Sequence, residues 1–189
     1  MPLRVIAGSA KGRKLKLVPG EGTRPIMDRV KEALFSILGR EIFDAVMLDL
    51  FAGTGSVGIE ALSRGASHVT FVDSDRAAIQ TIHENLKIAN VADRAQVRRG
   101  DALELLKQPP PRPFDLIFIA PPQYKDLWIQ TLQALEKNHT WIPAGTNVIV
   151  QIDPKEKQDL ALKYLETTDQ RQYGKTLLLF FEAKNAEES

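Results

Sequence analysis

The run Asp49-Leu50-Phe51-Ala52-Gly53-Thr54-Gly55-Ser56-Val57-Gly58-Ile59-Glu60-Ala61-Leu62 constrains the fold more than any other stretch of the chain. An apolar segment beginning at Val46 ends in a glycine turn, and the turn opens directly into a helical pattern. A chain written this way passes from strand to helix around something that needs close backbone approach. Gly53 and Gly55 keep Cβ atoms out of a ligand's way, and Gly58 permits tight helix–strand packing. The helix that follows offers unpaired N–H groups to a polar or anionic group. A tight turn in an ordinary α/β protein carries such glycines too. Two acids sharpen the reading: Asp49 inside the strand end, and Asp73 one strand later.

The 189 residues suffice for one domain with a full core, and 43% of them are hydrophobic. No run approaches the roughly 20 apolar residues that span a bilayer. Met1-Pro2-Leu3-Arg4 lacks the basic-then-apolar layout of a signal peptide. The absence of cysteine excludes disulfides and thiolate metal sites. A cytoplasmic protein is expected. The net charge of +1 hides an uneven distribution. Residues 1–40 hold nine Lys/Arg against three acids, a surplus of six, which leaves the other 149 residues at −5. A polyanion docking at the basic end, or a solvated basic face, accounts for this equally well.

Residues 3–18 alternate weakly around Gly8 and Gly12, as in a short hairpin, and Pro19-Gly20-Glu21-Gly22 is a loop. A helix is expected over 27–38, with Val30, Leu34, Ile37 and Leu38 on one face. From Ala45 the pattern alternates. Strands are expected at 45–51, 68–73, 95–100, 114–120 and 146–152, and helices at 57–64, 75–89, 102–107 and 124–137. Such alternation implies parallel strands with right-handed crossovers, hence a doubly wound α/β sheet. Residues 164–168 and 176–183 read instead as an antiparallel hairpin around Gly174. The expected organisation is a basic extension over 1–43, a catalytic domain over 44–184 and a tail over 185–189.

Ligands of open α/β sheets sit at the carboxyl ends of the strands. Four such ends are readable: the Asp49–Gly58 loop; Asp73-Ser74-Asp75; Gly100-Asp101-Ala102; and Ala120-Pro121-Pro122-Gln123-Tyr124. Asp73 suits the two hydroxyls of a ribose, and Asp101 an adenine amino group. Either acid alone reads equally well as a helix N-cap. Both, in this order after a glycine loop, favour a nucleoside pocket. NAD fits the glycine fingerprint and the acid that follows it. S-adenosylmethionine fits those and also the Asp-x-Phe-Ala-Gly-Thr-Gly wording, Asp101, the Pro-Pro turn and the terminal hairpin.

With these motifs the chain resembles the bacterial RsmD family, guanine-N2 methyltransferases of small-subunit ribosomal RNA. The resemblance runs through Arg4-Val5-Ile6-Ala7-Gly8, Lys11-Gly12-Arg13-Lys14-Leu15 and the block from Thr23 to Phe35, and covers nearly the whole chain. It implies a seven-stranded class I methyltransferase sheet, with S-adenosylmethionine as cofactor. It implies a cofactor site of Asp49, Phe51, Ala52, Gly53, Thr54, Gly55, Gly58, Asp73, Ser74, Asp101 and Ala102. It also implies transfer to 16S ribosomal RNA, within the small subunit or an assembly intermediate, by a monomer that uses neither metal nor membrane. Arg4, Lys11, Arg13, Lys14, Arg24, Arg29 and Lys31 would then meet the RNA.

One departure stands out. The family's fourth motif reads Asp-Pro-Pro followed by Tyr or Phe; here it is Ala120-Pro121-Pro122-Gln123, with Tyr124 one place later. The lone pair of an exocyclic amine is drawn into the base, so the amine is a poor nucleophile. Acceptors facing its N–H groups orient the nitrogen towards the methyl donor. Ala120 cannot be such an acceptor, although the prolines still shape the turn. Three outcomes stay open: transfer to guanine with Gln123 or a water compensating, transfer to another amino group, or an RNA-binding protein without transfer. The three histidines, His68, His83 and His139, lack metal-ligand spacing. Trp128 falls in a helical stripe and reads as core.

Overall fold

The computed structural model describes residues 2–20 and 25–185. Twelve main elements follow one another: α1 (Asp28–Leu38), β1 (Val46–Leu50), α2 (Ser56–Ser63), β2 (His68–Asp73), α3 (Arg76–Ala89), β3 (Ala95–Arg99), α4 (Ala102–Leu106), β4 (Leu116–Ile119), α5 (Leu127–Lys137), β5 (Asn147–Ile152), β6 (Leu165–Tyr173) and β7 (Thr176–Ala183). The strands form a seven-stranded sheet in the order β3-β2-β1-β4-β5-β7-β6. This order, with antiparallel strands at the C-terminal edge, is the class I methyltransferase sheet. The chain divides into two compact units, residues 1–100 and 101–189.

In the first unit β1, β2 and β3 pair in parallel, with Asp49 opposite Phe71 and Asp73 opposite Arg99. β1 is buried along nearly its whole length, as a strand covered on both faces must be. α2 is buried at every residue. It lies against β2 so closely that a Cβ on Gly58 would sit 2.3 Å from the Phe71 ring. α3 starts at Asp75, whose carboxylate accepts from the Ala77 N–H, and ends at Asn90 in the left-handed conformation.

The buried face of α1 is Val30, Lys31, Leu34, Phe35 and Leu38. It differs from the expected face at three places: Ile37 is exposed, and Lys31 and Phe35 are inside. Residues 3–15 do pair antiparallel, through Val5 N to Arg13 O at 3.0 Å, Gly12 N to Val5 O at 2.9 Å and Leu15 N to Leu3 O at 2.8 Å. Only the Arg4–Lys14 bridge is regular, so the segment is a bent hairpin rather than a ribbon. Its tip meets the end of α2. A Cβ on Gly8 would lie 1.8 Å from the Ser63 carbonyl oxygen, so only glycine fits there.

In the second unit β4 and β5 are parallel, and β5 and β6 each pair antiparallel with β7. β6 runs to Tyr173, five residues beyond the expected end at 168, with a bulge between Thr167 and Asp169. It is an outer strand with mostly exposed residues, among them the charged Glu166 and Arg171. Charges and a bulge discourage edge-to-edge pairing. α5 begins at Leu127 rather than 124, because Tyr124 and Asp126 adopt left-handed φ angles of 60° and 52°. Trp128 is buried with Thr131, Leu132 and Leu135, as its stripe indicated.

Candidate active site

The glycine loop of the first unit is held from below and from the side. Gly53 and Gly55 take φ angles of 56° and 75°, and Phe51, not a glycine, takes 59°. Gly55 is the N-cap of α2 and has no side chain to cap with. Asp49 does the capping from the preceding strand: its Oδ2 accepts from the Gly58 N–H at 3.2 Å. Asp49 is 1% exposed, and burial pushes its carboxyl well above the usual range. The Gly58 N–H opposes that rise, and the nearby Asp73 charge adds to it. Asp49 therefore builds the loop from inside. Thr54 is buried, and its Oγ1 accepts from the Ser56 N–H at 3.3 Å. Ala52 joins the loop to β2 through the Val72 carbonyl at 3.0 Å.

Asp73 ends β2. Its Oδ2 accepts from the Gly53 N–H and its Oδ1 from the Asp75 N–H, both at 2.9 Å. The N-cap alternative belongs to Asp75 instead. A carboxylate has about four lone-pair sites, so Asp73, half-buried, keeps capacity for a vicinal diol. Ser74 is exposed beside it, its carbonyl accepting from Arg99 Nε at 3.3 Å. The structure thus brings Asp49, Ala52, Gly53, Thr54, Gly58 and Asp73 into one hydrogen-bonded cradle.

The basic segment is less uniform than its sequence. Lys11 and Lys14 are exposed and form no ion pair among the described residues. Arg13 donates to the Ile88 carbonyl at 3.2 Å, and Arg4 Nε pairs with Asp28 at 2.8 Å. Arg29 is exposed. Arg24 lies outside the described residues. Lys31, expected to face RNA, is corrected: it is fully buried, 3.4 Å from Glu60 Oε2, and donates to the Arg4 carbonyl at 2.6 Å. Burial holds its ammonium below the usual pKa, with Glu60 pulling the other way.

In the second unit Asp101 caps α4, accepting from the Glu104 N–H at 3.0 Å, and Ala102 is buried behind it. The Ala120–Tyr124 turn leaves the end of β4. Pro121 is buried, while Pro122, Gln123 and Tyr124 are exposed. Glu156 pins this turn to the end of β5: its Oε1 accepts from the Tyr124 N–H at 2.7 Å, and its Oε2 from the Asp153 N–H at 3.2 Å. The Tyr124 hydroxyl donates to Asp153, which raises the phenol pKa. The Asp153 carboxyl is held low, first by the Lys155 N–H and then by that hydroxyl. Tyr124 thus presents a ring, 63% exposed, on a backbone that favours glycine. Among the described residues no group of three or more His, Cys, Asp or Glu could hold a metal ion. No described helix is long and apolar enough to cross a membrane.

Residues 3–182 match the family model described as conserved hypothetical protein 95. The chain is 39% identical over 153 residues to ribosomal RNA small subunit methyltransferase D of Haemophilus influenzae, covering 80% of this chain and 79% of that one. It is 40% identical over 176 residues to YlbH of Bacillus subtilis, an rRNA methyltransferase by inference, covering 92% and 95%.

The chain belongs to the RsmD/YlbH family.

The fold agrees: the Escherichia coli protein yhhF superposes with a TM-score of 0.85 at 31% identity, covering 97% of this chain and 99% of that one. A more distant RNA methyltransferase of Salinibacter ruber, solved with S-adenosylhomocysteine, shares the fold at 16% identity and a TM-score of 0.64, over 85% and 94% of the two chains. Within this RsmD/YlbH chain three residues escaped the sequence reading. Glu60 holds the hairpin, accepting from Ile6 N at 2.8 Å and Ala7 N at 3.0 Å. Asn85 joins Lys16 to the Thr54 carbonyl. Glu156 holds the Tyr124 turn. Glu60 and Asn85 are polar residues inside helices, where the only signal is a polar side chain at a buried helical position; Glu156 ends the short turn Pro154–Glu156 after β5, where the sequence pattern carries no such signal.

Proposed function

We propose that this chain transfers a methyl group from S-adenosylmethionine to the exocyclic N2 of a guanine in 16S ribosomal RNA. The observation that carries the cofactor part is the Gly53–Asp73 hydrogen bond. It fixes a strand-end carboxylate beside a left-handed glycine loop at a helix N-terminus, the arrangement a ribose and its neighbouring polar groups require. Family membership and the relatives' activity support the RNA part. When bound, the cofactor would supply an electrophilic methyl on a sulfonium. Asp73 would accept from the ribose hydroxyls, and Asp101 from the adenine amino group. The Pro121-Pro122 turn would offer backbone carbonyls to the amine, and Tyr124 would stack on the target base, so that the amine nitrogen faces the methyl donor and gives its proton to water. Orientation carries most of the rate.

Labelled S-adenosylmethionine, incubated with small subunits from a strain lacking the modification, tests this directly. Label mapping to one guanine N2 is the expected result; no transfer from a chain that binds cofactor would sink the reading. Ala120 favours one second reading, an RNA-binding protein without transfer, and the same experiment separates the two.

Asp73→Ala is expected to weaken cofactor binding by about 1–3 kcal/mol, the range for charge-assisted hydrogen bonds. Calorimetry giving unchanged affinity would remove Asp73 from the site. Lys11→Glu with Lys14→Glu breaks no ion pair among the described residues. It is expected to lower RNA affinity and to reduce the salt slope by roughly 0.9 for each phosphate no longer neutralised. Cofactor affinity should hold; a parallel fall in both would show misfolding instead.

A further inference from the structure

The turn after β4 lacks an acceptor at position 120, and the neighbouring strand has one to spare. β4 and β5 run parallel, with Ile119 opposite Val150. One residue further along, Ala120 follows the end of β4 while Gln151 is still within β5, paired on its other side with Leu178 of β7. Residues opposite one another in a sheet point to the same face, and neighbours along a strand to opposite faces. Continued one residue past Ile119, the same register would set Ala120 beside Gln151 on one face. Gln151 is half-buried, and its Oε1 is buried without a hydrogen-bond partner among the described residues. Buried polar groups are nearly always paired, because a hydrogen bond left unmade away from water costs free energy. Strands lie about 4.8 Å apart, a gap that the three-bond stem of glutamine spans. The turn beside it is not free to drift, since Glu156 ties Tyr124 to the end of β5.

We propose that Gln151 Oε1 is the acceptor for one N–H of the target amine, in place of the group absent at position 120. The inference rests on the proposed methyl transfer to an exocyclic amine. In its terms Gln151 is a catalytic residue. It accepts a hydrogen bond from the nucleophilic nitrogen, turns the lone pair towards the methyl donor, and takes no proton itself. The unpartnered oxygen then has a partner only when the base is seated.

The test is single-turnover and steady-state methyl transfer to unmodified small subunits by wild type, Gln151→Met, and Gln151→Met combined with Ala120→Asp. Gln151→Met keeps the length of the side chain and deletes the acceptor. It is expected to lower kcat on the order of 10²-fold, as removal of one preorganised hydrogen-bonding group in a dry site does. KM for S-adenosylmethionine and the melting temperature should not fall. A structural role predicts the reverse, a lower melting temperature with kcat kept. Adding Ala120→Asp should restore most of the missing kcat. Wild-type transfer with Gln151→Met within twofold of it overturns the inference alone, and so does a deficit that Ala120→Asp leaves unrestored. A wild type that binds cofactor and subunits yet transfers nothing overturns the proposed function, and this inference with it.

Discussion

Glu60→Ala is expected to destabilise the protein by about 3–5 kcal/mol, a drop of roughly 6–20 °C in melting temperature for a chain of this size. Glu60 is completely buried on α2, and so is Lys31 on α1. The carboxylate accepts from the Ile6 and Ala7 N–H groups, receives Arg64 Nε at 2.8 Å and faces Lys31 Nζ at 3.4 Å. Its removal strands a cation in the core and orphans two backbone donors together. Losing one member of a buried pair is costly because the other cannot reach water. Glu60→Gln retains an acceptor and should fall between wild type and Ala. Urea denaturation of the three proteins checks the order, and a Glu60→Ala midpoint equal to wild type would contradict it.

Asn85→Ala should cost about 2–4 kcal/mol, since a fully buried amide gives up three hydrogen bonds whose partners stay behind. Asn85 Oδ1 accepts from Lys16 N at 2.7 Å, and its Nδ2 donates to Lys16 O at 3.0 Å and Thr54 O at 2.9 Å. One side chain thus connects the hairpin's outgoing strand with the glycine loop. Cofactor affinity is expected to fall along with stability. Lys16→Ala, which keeps the backbone hydrogen bonds and removes only the exposed pair with Glu84, is expected to leave both nearly unchanged. Calorimetry on the two variants decides it. Equal effects would show that the lysine side chain, not the backbone link, matters.

The contrast between these polar centres and the rest of the fold shows what the sequence could convey. Strand–helix alternation after Ala45 and the wording of the glycine loop follow from local periodicity, and the seven strands formed where those patterns lie. Lys31 did not follow. A lysine on an amphipathic helix normally reads as solvent-facing, and only a glutamate 29 positions later, on another helix, reverses that. Asp73 and Asp75 stand two residues apart, and either suits an N-cap; the chain uses the second as the cap and the first for the loop. α5 begins later than its periodicity indicates, because the backbone N–H of Tyr124 is held by Glu156, 32 residues away. In each case the deciding partner is distant in sequence, where periodicity carries no information.

The docked hairpin also bears on how the chain comes into being. Ile6 and Lys16 find their side-chain partners 54 and 69 residues later, on α2 and α3. At about 5–20 residues per second of synthesis, that separation amounts to several seconds. Throughout that interval the basic segment has been translated but has neither Glu60 nor Asn85 to receive it. A nascent strand with open N–H groups and uncompensated positive charge is vulnerable to wrong partners, nucleic acid among them. Substitutions at these docking residues should therefore lower the yield of folded protein during expression more than refolding of the purified chain would suggest.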